Sequence, residues 1–128
     1  MNRIEEAIKY KHSGYNCTQS VLMAYKDKLN IKEEDILKLS SGFLLGMGNM
    51  KGTCGALIAA NMLLGVLNES KKRMMTLSAN LVDEFEKKSG ALICSDLKGI
   101  KTGKVLCSCD DCIKNAIEIL ENILNEKE

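Results

Sequence analysis

The chain has 128 residues, with 18 Lys and Arg against 17 Asp and Glu, so its formal net charge is +1. That is the length of one domain with a real core, and the charge balance gives no argument for a nucleic-acid or membrane partner. Aromatic residues make up only 4%, with no Trp and no Pro; base stacking is excluded as a main activity, and the core must rely on Leu, Ile, Ala and Met.

The first residues, Met1-Asn2-Arg3-Ile4-Glu5-Glu6-Ala7, are acidic and amphipathic and lack the apolar stretch of a signal peptide. The longest apolar run, Cys54 to Leu67, is too short to cross a bilayer comfortably and reads as a buried helix. A soluble, cytoplasmic protein is expected. An unpartnered apolar face would leave room for a homodimer.

In chain order, a helix is expected over residues 2–12, with Asn2 as N-cap, Ile4, Ala7 and Ile8 on one face with Lys11, and Ser13-Gly14 as its stop. Asn16 caps a second helix to about Leu29, with Val21, Leu22 and Tyr25 inward. A third runs from about Lys32 to Ser41, with Ile36, Leu37 and Leu39 inward. Residues 42–53 contain Gly42, Gly46, Gly48 and Gly52, and read as an ordered loop or broken helix. A central fourth helix follows from Cys54 to about Asn68, with Thr53 as N-cap and apolar residues on nearly every side.

Ser70 would cap a long fifth helix to about Lys88, striped by Met74, Leu77, Leu81, Val82 and Phe85. Residues 91–97 supply one or two more helical turns, and the Lys- and Gly-rich segment 98–106 a surface loop. The last helix runs from about Asp110 to Asn125, with Ile113, Ala116, Ile117, Leu120, Ile123 and Leu124 inside. No segment alternates with period two. The expected architecture is an all-α single-domain bundle of about five to six helices, with a glycine-rich loop before the central one.

Six cysteines in such a chain require an explanation. In a reducing compartment cysteine clusters serve catalysis or metal binding more often than structural disulfides. Buried packing is the plain alternative for any single one. Placement argues for chemistry: Cys17 follows the cap Asn16, Cys54 follows Thr53, and Cys109 and Cys112 bracket the start of the last helix. Helix N-termini offer unpaired amides and a positive dipole end that favour thiolates. Cys94 stands alone at a helix–loop boundary. Cys107-Ser108-Cys109-Asp110-Asp111-Cys112 holds a Cys-x-x-Cys spacing shared by zinc sites, iron–sulfur sites and redox dithiols.

Other motifs carry less. Gly46-Met47-Gly48-Asn49-Met50-Lys51-Gly52 lacks the Gly-Lys-Ser/Thr of a phosphate loop and any leading strand, so close backbone packing is its better reading. His12, the only histidine, reads as an exposed residue at a helix end. The carboxylates lie along solvated faces, with no acid/base pair among them.

Several stretches together resemble a family of small bacterial and archaeal proteins named for a C-GCAxxG-C-C cysteine pattern, to which a redox role is ascribed. They are Gly14-Tyr15-Asn16-Cys17-Thr18-Gln19-Ser20-Val21, Ser41-Gly42-Phe43, Gly46-Met47-Gly48, Thr53-Cys54-Gly55-Ala56, Cys94 and the cysteine-bearing start of the last helix. The similarity spans residues of about 4–125. The named motif is met loosely: Cys54-Gly55-Ala56 reverses its Gly-Cys order, and Ala59 stands where its last Gly would fall. Cys107, Cys109 and Cys112 compete for the last family position, with Cys109 favoured.

Two redox arrangements and one structural one are therefore expected. In the first, Cys17, Cys54, Cys94 and one or more of Cys107, Cys109 and Cys112 converge on an iron–sulfur cluster or related metal centre for electron transfer. In the second, no metal is involved: Cys54 attacks a disulfide, and Cys17 or the C-terminal group resolves it. The third is a structural zinc-binding or interaction module.

Overall fold

The computed structural model describes residues 2–69 and 73–125. Among them the regular structure is helical: α1 (Arg3–His12), α2 (Cys17–Met23), α3 (Glu33–Ser40), α4 (Leu44–Met47), α5 (Gly55–Leu67), α6 (Met74–Ser89), α7 (Cys94–Lys98) and α8 (Cys109–Asn125). Two 3₁₀ turns, Lys26–Lys28 and Ser41–Phe43, lie beside α2 and α4. The only extended pairing among the described residues is one antiparallel bridge between Thr53 and Ile93.

The helix starts follow local chemistry. Asn2 accepts from the Glu5 amide at 2.8 Å and caps α1. Asn16 and Gln19 form a reciprocal capping box at the start of α2: Asn16 Oδ1 accepts from the Gln19 amide at 2.8 Å, and Gln19 Oε1 from the Asn16 amide at 3.1 Å. Ser108, a residue the sequence did not single out, caps α8 by accepting from the Asp111 amide at 3.1 Å. The expected cap Ser70 lies outside the described residues.

α5 is the centre of the bundle and packs against α2, α6 and α8. Ala56, Leu57, Ala59, Ala60, Leu63 and Leu64 are buried along it. Leu77, Leu81 and Phe85 of α6, one turn apart, meet Ile113, Ala116, Ile117 and Leu120 of α8 in the same core. A fully buried Leu or Phe contributes about 2 kcal/mol by leaving water, so this seam supplies much of the driving force for folding.

Several sequence expectations are corrected. The second helix stops at Met23, not Leu29, and a 3₁₀ turn carries the chain onward. Leu39, expected inward, is 68% exposed; Ile36 and Ser40 take the buried face of α3 with Leu37 half-buried beside them, and Leu39 falls on the opposite flank of that face. The N-cap position of α5 is held by Cys54, not Thr53. Thr53 is drawn into the bridge with Ile93 instead.

Candidate functional site

The site is assembled from helix starts. Cys17, Cys94 and Cys109 are the first residues of α2, α7 and α8, and Cys54 is the N-cap of α5. All four line a single cavity of about 210 Å³, together with Lys11, Gly46, Gly55 and Lys98. Cys107 and Cys112 do not line it; both are buried behind it.

Two backbone devices bring these positions together. Segments 52–54 and 92–94 run side by side: the Cys54 amide donates to Leu92 O at 2.9 Å, and the Cys94 amide donates to Gly52 O at 2.9 Å. This couples the starts of α5 and α7, so Cys54 and Cys94 arrive at the cavity as neighbours. The second device is a left-handed turn. Leu45, Gly46 and Met47 have φ of 46°, 56° and 66° in succession. L-residues adopt this conformation at a cost of about 1–2 kcal/mol each. It is held by the Gly52 amide donating to Gly46 O at 2.9 Å and the Ser95 amide to Met50 O at 2.8 Å.

The turn lays Gly46 directly on Cys94. A Cβ on Gly46 would stand 2.4 Å from the Cys94 Cβ, which no side chain can tolerate. Gly55 serves the other side, where a Cβ would stand 2.3 Å from Thr18 Oγ1, so the starts of α2 and α5 can touch. Gly46 and Gly55 therefore let helix starts crowd around one space, and Gly52 is as tightly placed, with a Cβ there 2.8 Å from Met47 Sδ and 2.9 Å from Gly46 O.

The sulfurs associate in pairs. The neighbouring Cys17 thiol holds Cys109 down at about 5; burial opposes this, and the nearby Lys98 ammonium reinforces it. Cys17 is correspondingly pushed above the ordinary thiol range by the Cys109 sulfur. In the second pair, the influence of the Cys112 thiol lowers Cys54 to about 7 against the cost of burial. The amides of Leu57 and Ala56 also lower it, through their dipoles and without a capping hydrogen bond. Cys112 is raised by its Cys54 partner. Cys94 has no such partner and is raised by burial.

Two lysines complete the electrostatics, and sequence reasoning missed both as site residues. Lys98, the last residue of α7, was assigned to the surface loop; it lies one helical turn beyond Cys94, so both face the cavity. Burial pulls its ammonium down, but the Cys109, Cys112 and Cys17 sulfurs outweigh that and hold it above its usual range. The spacing of Cys94 and Lys98 was the available signal. Lys11 lines the cavity from α1. His12 is exposed, as expected, and its Nε2 pairs with Asp110 Oδ2 at 2.8 Å, tying the end of α1 to the start of α8.

Of the six cysteines expected at a metal centre, Cys17, Cys54, Cys94 and Cys109 line the cavity, while Cys107 and Cys112 do not. Among the described residues no three His, Cys, Asp or Glu side chains form a group able to hold a metal ion. No helix among them is long and apolar enough to cross a membrane. The arrangement can carry a thiolate opposite a protonated thiol, beside a cation, at a space open to a small molecule. A family model described as "Putative redox-active protein (C_GCAxxG_C_C)" matches residues 15–123. No curated protein and no solved structure matches the chain.

Proposed function

The chain belongs to the C_GCAxxG_C_C family, and from that premise we propose that it is a thiol redox protein whose working pair is Cys17 and Cys109. One observation carries this reading: Cys17 and Cys109, the first residues of α2 and α8, line one cavity together with Lys98, a setting that favours the Cys109 thiolate. A thiolate next to a protonated thiol is the starting state of thiol–disulfide exchange. Cys109 attacks a disulfide of the redox partner, and one partner sulfur leaves as a thiolate. Cys17 then attacks the mixed disulfide, its proton goes to solvent, and the second partner sulfur leaves. Two electrons pass to the partner, and a Cys17–Cys109 disulfide remains. Lys98 keeps Cys109 charged. A reducing cytoplasm would return the pair to its dithiol form. Mass-spectrometric mapping after oxidation with a small disulfide tests the pairing. A Cys17–Cys109 cross-link is expected; its absence, with both thiols still free, overturns the reading.

A second reading, an iron–sulfur cluster for electron transfer, is supported by the four cysteines that line one cavity. Four cysteine thiolates are the usual ligand set of such clusters, which supply one-electron transfer when bound. Cys17, Cys54, Cys94 and Cys109 would hold it, with Lys98 balancing part of the ligand charge; as they stand the described side chains form no group that holds a metal ion, so a cluster or a zinc ion alike would have to draw these thiols together. Anaerobic reconstitution with iron and sulfide decides. Coloured protein with acid-labile sulfide and four protected thiols supports the cluster, and colourless, iron-free protein removes it.

A further inference from the structure

The cavity carries an excess of positive charge. Lys11, near the end of α1, and Lys98, at the end of α7, both line it, and both are half-buried. Among the described residues no Asp or Glu lines it. Asp110 follows Cys109 directly in the chain, but its Oδ2 is turned to His12 Nε2 at 2.8 Å on the exposed surface. Elsewhere Lys26, Lys38, Lys87 and Lys88 are exposed and each pairs with a glutamate. Lys11 and Lys98 make no ion pair with a carboxylate among the described residues, where partial burial makes an unanswered ammonium more costly. A Cys109 thiolate answers one of the two charges, and loses its own once the sulfur is bonded.

The remaining wall is largely apolar. Leu44 and Leu45, from the left-handed segment, line the cavity while 43% and 58% exposed, so they form its rim. Phe43 and Leu97 lie further in. The volume of about 210 Å³ falls below the roughly 300–1,000 Å³ of pockets for drug-sized ligands. Such a space suits one arm of a small molecule, with a few methylenes against the leucines and a negative end at a lysine.

We propose that the cavity selects an anionic low-molecular-weight disulfide, a dicarboxylate whose S–S bond meets Cys109 while a carboxylate is held at Lys11. The exchange step rests on the Cys17–Cys109 reading and names the partner's chemistry. The Cys109 thiolate attacks one sulfur of the small disulfide; that S–S bond breaks, and the first arm leaves as a thiolate. Cys17 then attacks the Cys109 sulfur and gives its proton to the departed thiolate, and the second arm leaves as a thiolate. The two cysteines lose two electrons and form one disulfide, and the small disulfide gains them. Lys11 determines specificity and takes no part in the bond changes.

The test treats the reduced full-length chain at about pH 6, below the value of about 7 to which Cys54 is lowered. The probes are dithiodipropionate, a dianion, and the neutral hydroxyethyl disulfide, with the Cys17–Cys109 cross-link timed by acid quenching and peptide mapping. A free thiolate, itself anionic, reacts more slowly with the dianion than with the neutral probe. In this protein the order should reverse, with the dianion roughly tenfold faster. K11Q should cut that ratio roughly fivefold, and about 0.5 M salt should cut it in the unsubstituted chain. A second readout needs no exchange: suberate, the all-carbon counterpart of dithiodipropionate, should slow iodoacetamide labelling of Cys109, and neutral hexanediol should not. Equal rates, or a faster neutral probe, overturn the proposal and leave the Cys17–Cys109 pair standing. A ratio unmoved by K11Q, or no protection by suberate, removes the anion site. No cross-link with either disulfide while suberate still protects removes the dithiol reading and leaves the anion site.

Discussion

Lys98, the last residue of α7, and Cys109, the first of α8, line the same cavity, where the Lys98 ammonium helps to hold the Cys109 thiol well below its ordinary range. A cation beside a half-buried thiolate favours it by roughly one power of ten in population. The alkylation rate of Cys109 should therefore follow an apparent pKa of about 5 in the unsubstituted protein. In K98Q the rate at pH 5 should fall roughly tenfold, with little change at pH 9. Iodoacetamide labelling with peptide mapping measures both; a pH profile unmoved by K98Q would show that Lys98 does not hold the thiolate.

The same ionisation makes stability depend on pH. Cys109 is lowered from an ordinary value of 9.0 to about 5. Between those values the unfolded chain carries a proton that the folded chain has lost, so the reduced protein gains stability as pH rises. That gain is lost as pH falls through about 5. Cys54, lowered to about 7, adds to the rise above its own value. Above 9 the raised Cys17 reverses the trend, because the folded state keeps a proton that the unfolded chain gives up. Melting temperatures in reducing buffer should thus rise from pH 5 toward pH 9 more steeply for the parent than for C109A. Parallel curves would sink the assignment.

Gly46 separates steric contact from backbone strain. In G46A the new methyl would meet the Cys94 Cβ at 2.4 Å while φ stays at 56°, and a loss on the order of 3 kcal/mol is expected. Gly48 has φ of 93° but nothing within 4 Å of a Cβ, so G48A should cost only about 1 kcal/mol. Denaturant midpoints compare the two. Equal losses would mean that the Gly46–Cys94 contact adds nothing beyond strain.

Asn16 fixes the start of α2 and so the placement of Cys17. N16A should cost about 1 kcal/mol through loss of the cap. It should also raise the apparent pKa of Cys109, because a frayed first turn displaces the Cys17 thiol. A stable N16A chain with an unchanged Cys109 profile would show that the capping box does not position the site.

The sequence by itself determined the helices and the places of the reactive cysteines along them. The stripe Leu77, Leu81 and Phe85 and the caps Asn2 and Asn16 are local signals, set by side-chain periodicity and hydrogen bonding within a few residues. The same signals put Cys17, Cys54 and Cys109 at helix starts. Boundaries were less legible wherever a tertiary contact competed with a local one. Thr53 pairs with Ile93 and yields the cap position to Cys54, and Leu39 gives up the core to Ile36.

Only the tertiary structure decided which cysteines share the cavity. Cys109 lines it with Cys17 and Cys54, and Cys112 is buried behind it, because α8 packs against both α2 and α5, with successive turns facing different neighbours. Residues at i and i+3 on one helix share a face only broadly, and nothing in a Cys-x-x-Cys spacing says which partner each will touch. Lys98 was hidden for the same reason. Its charge reads as surface in the sequence, and becomes part of the site once the bridge of residues 52–54 with 92–94 carries α7 to the cavity.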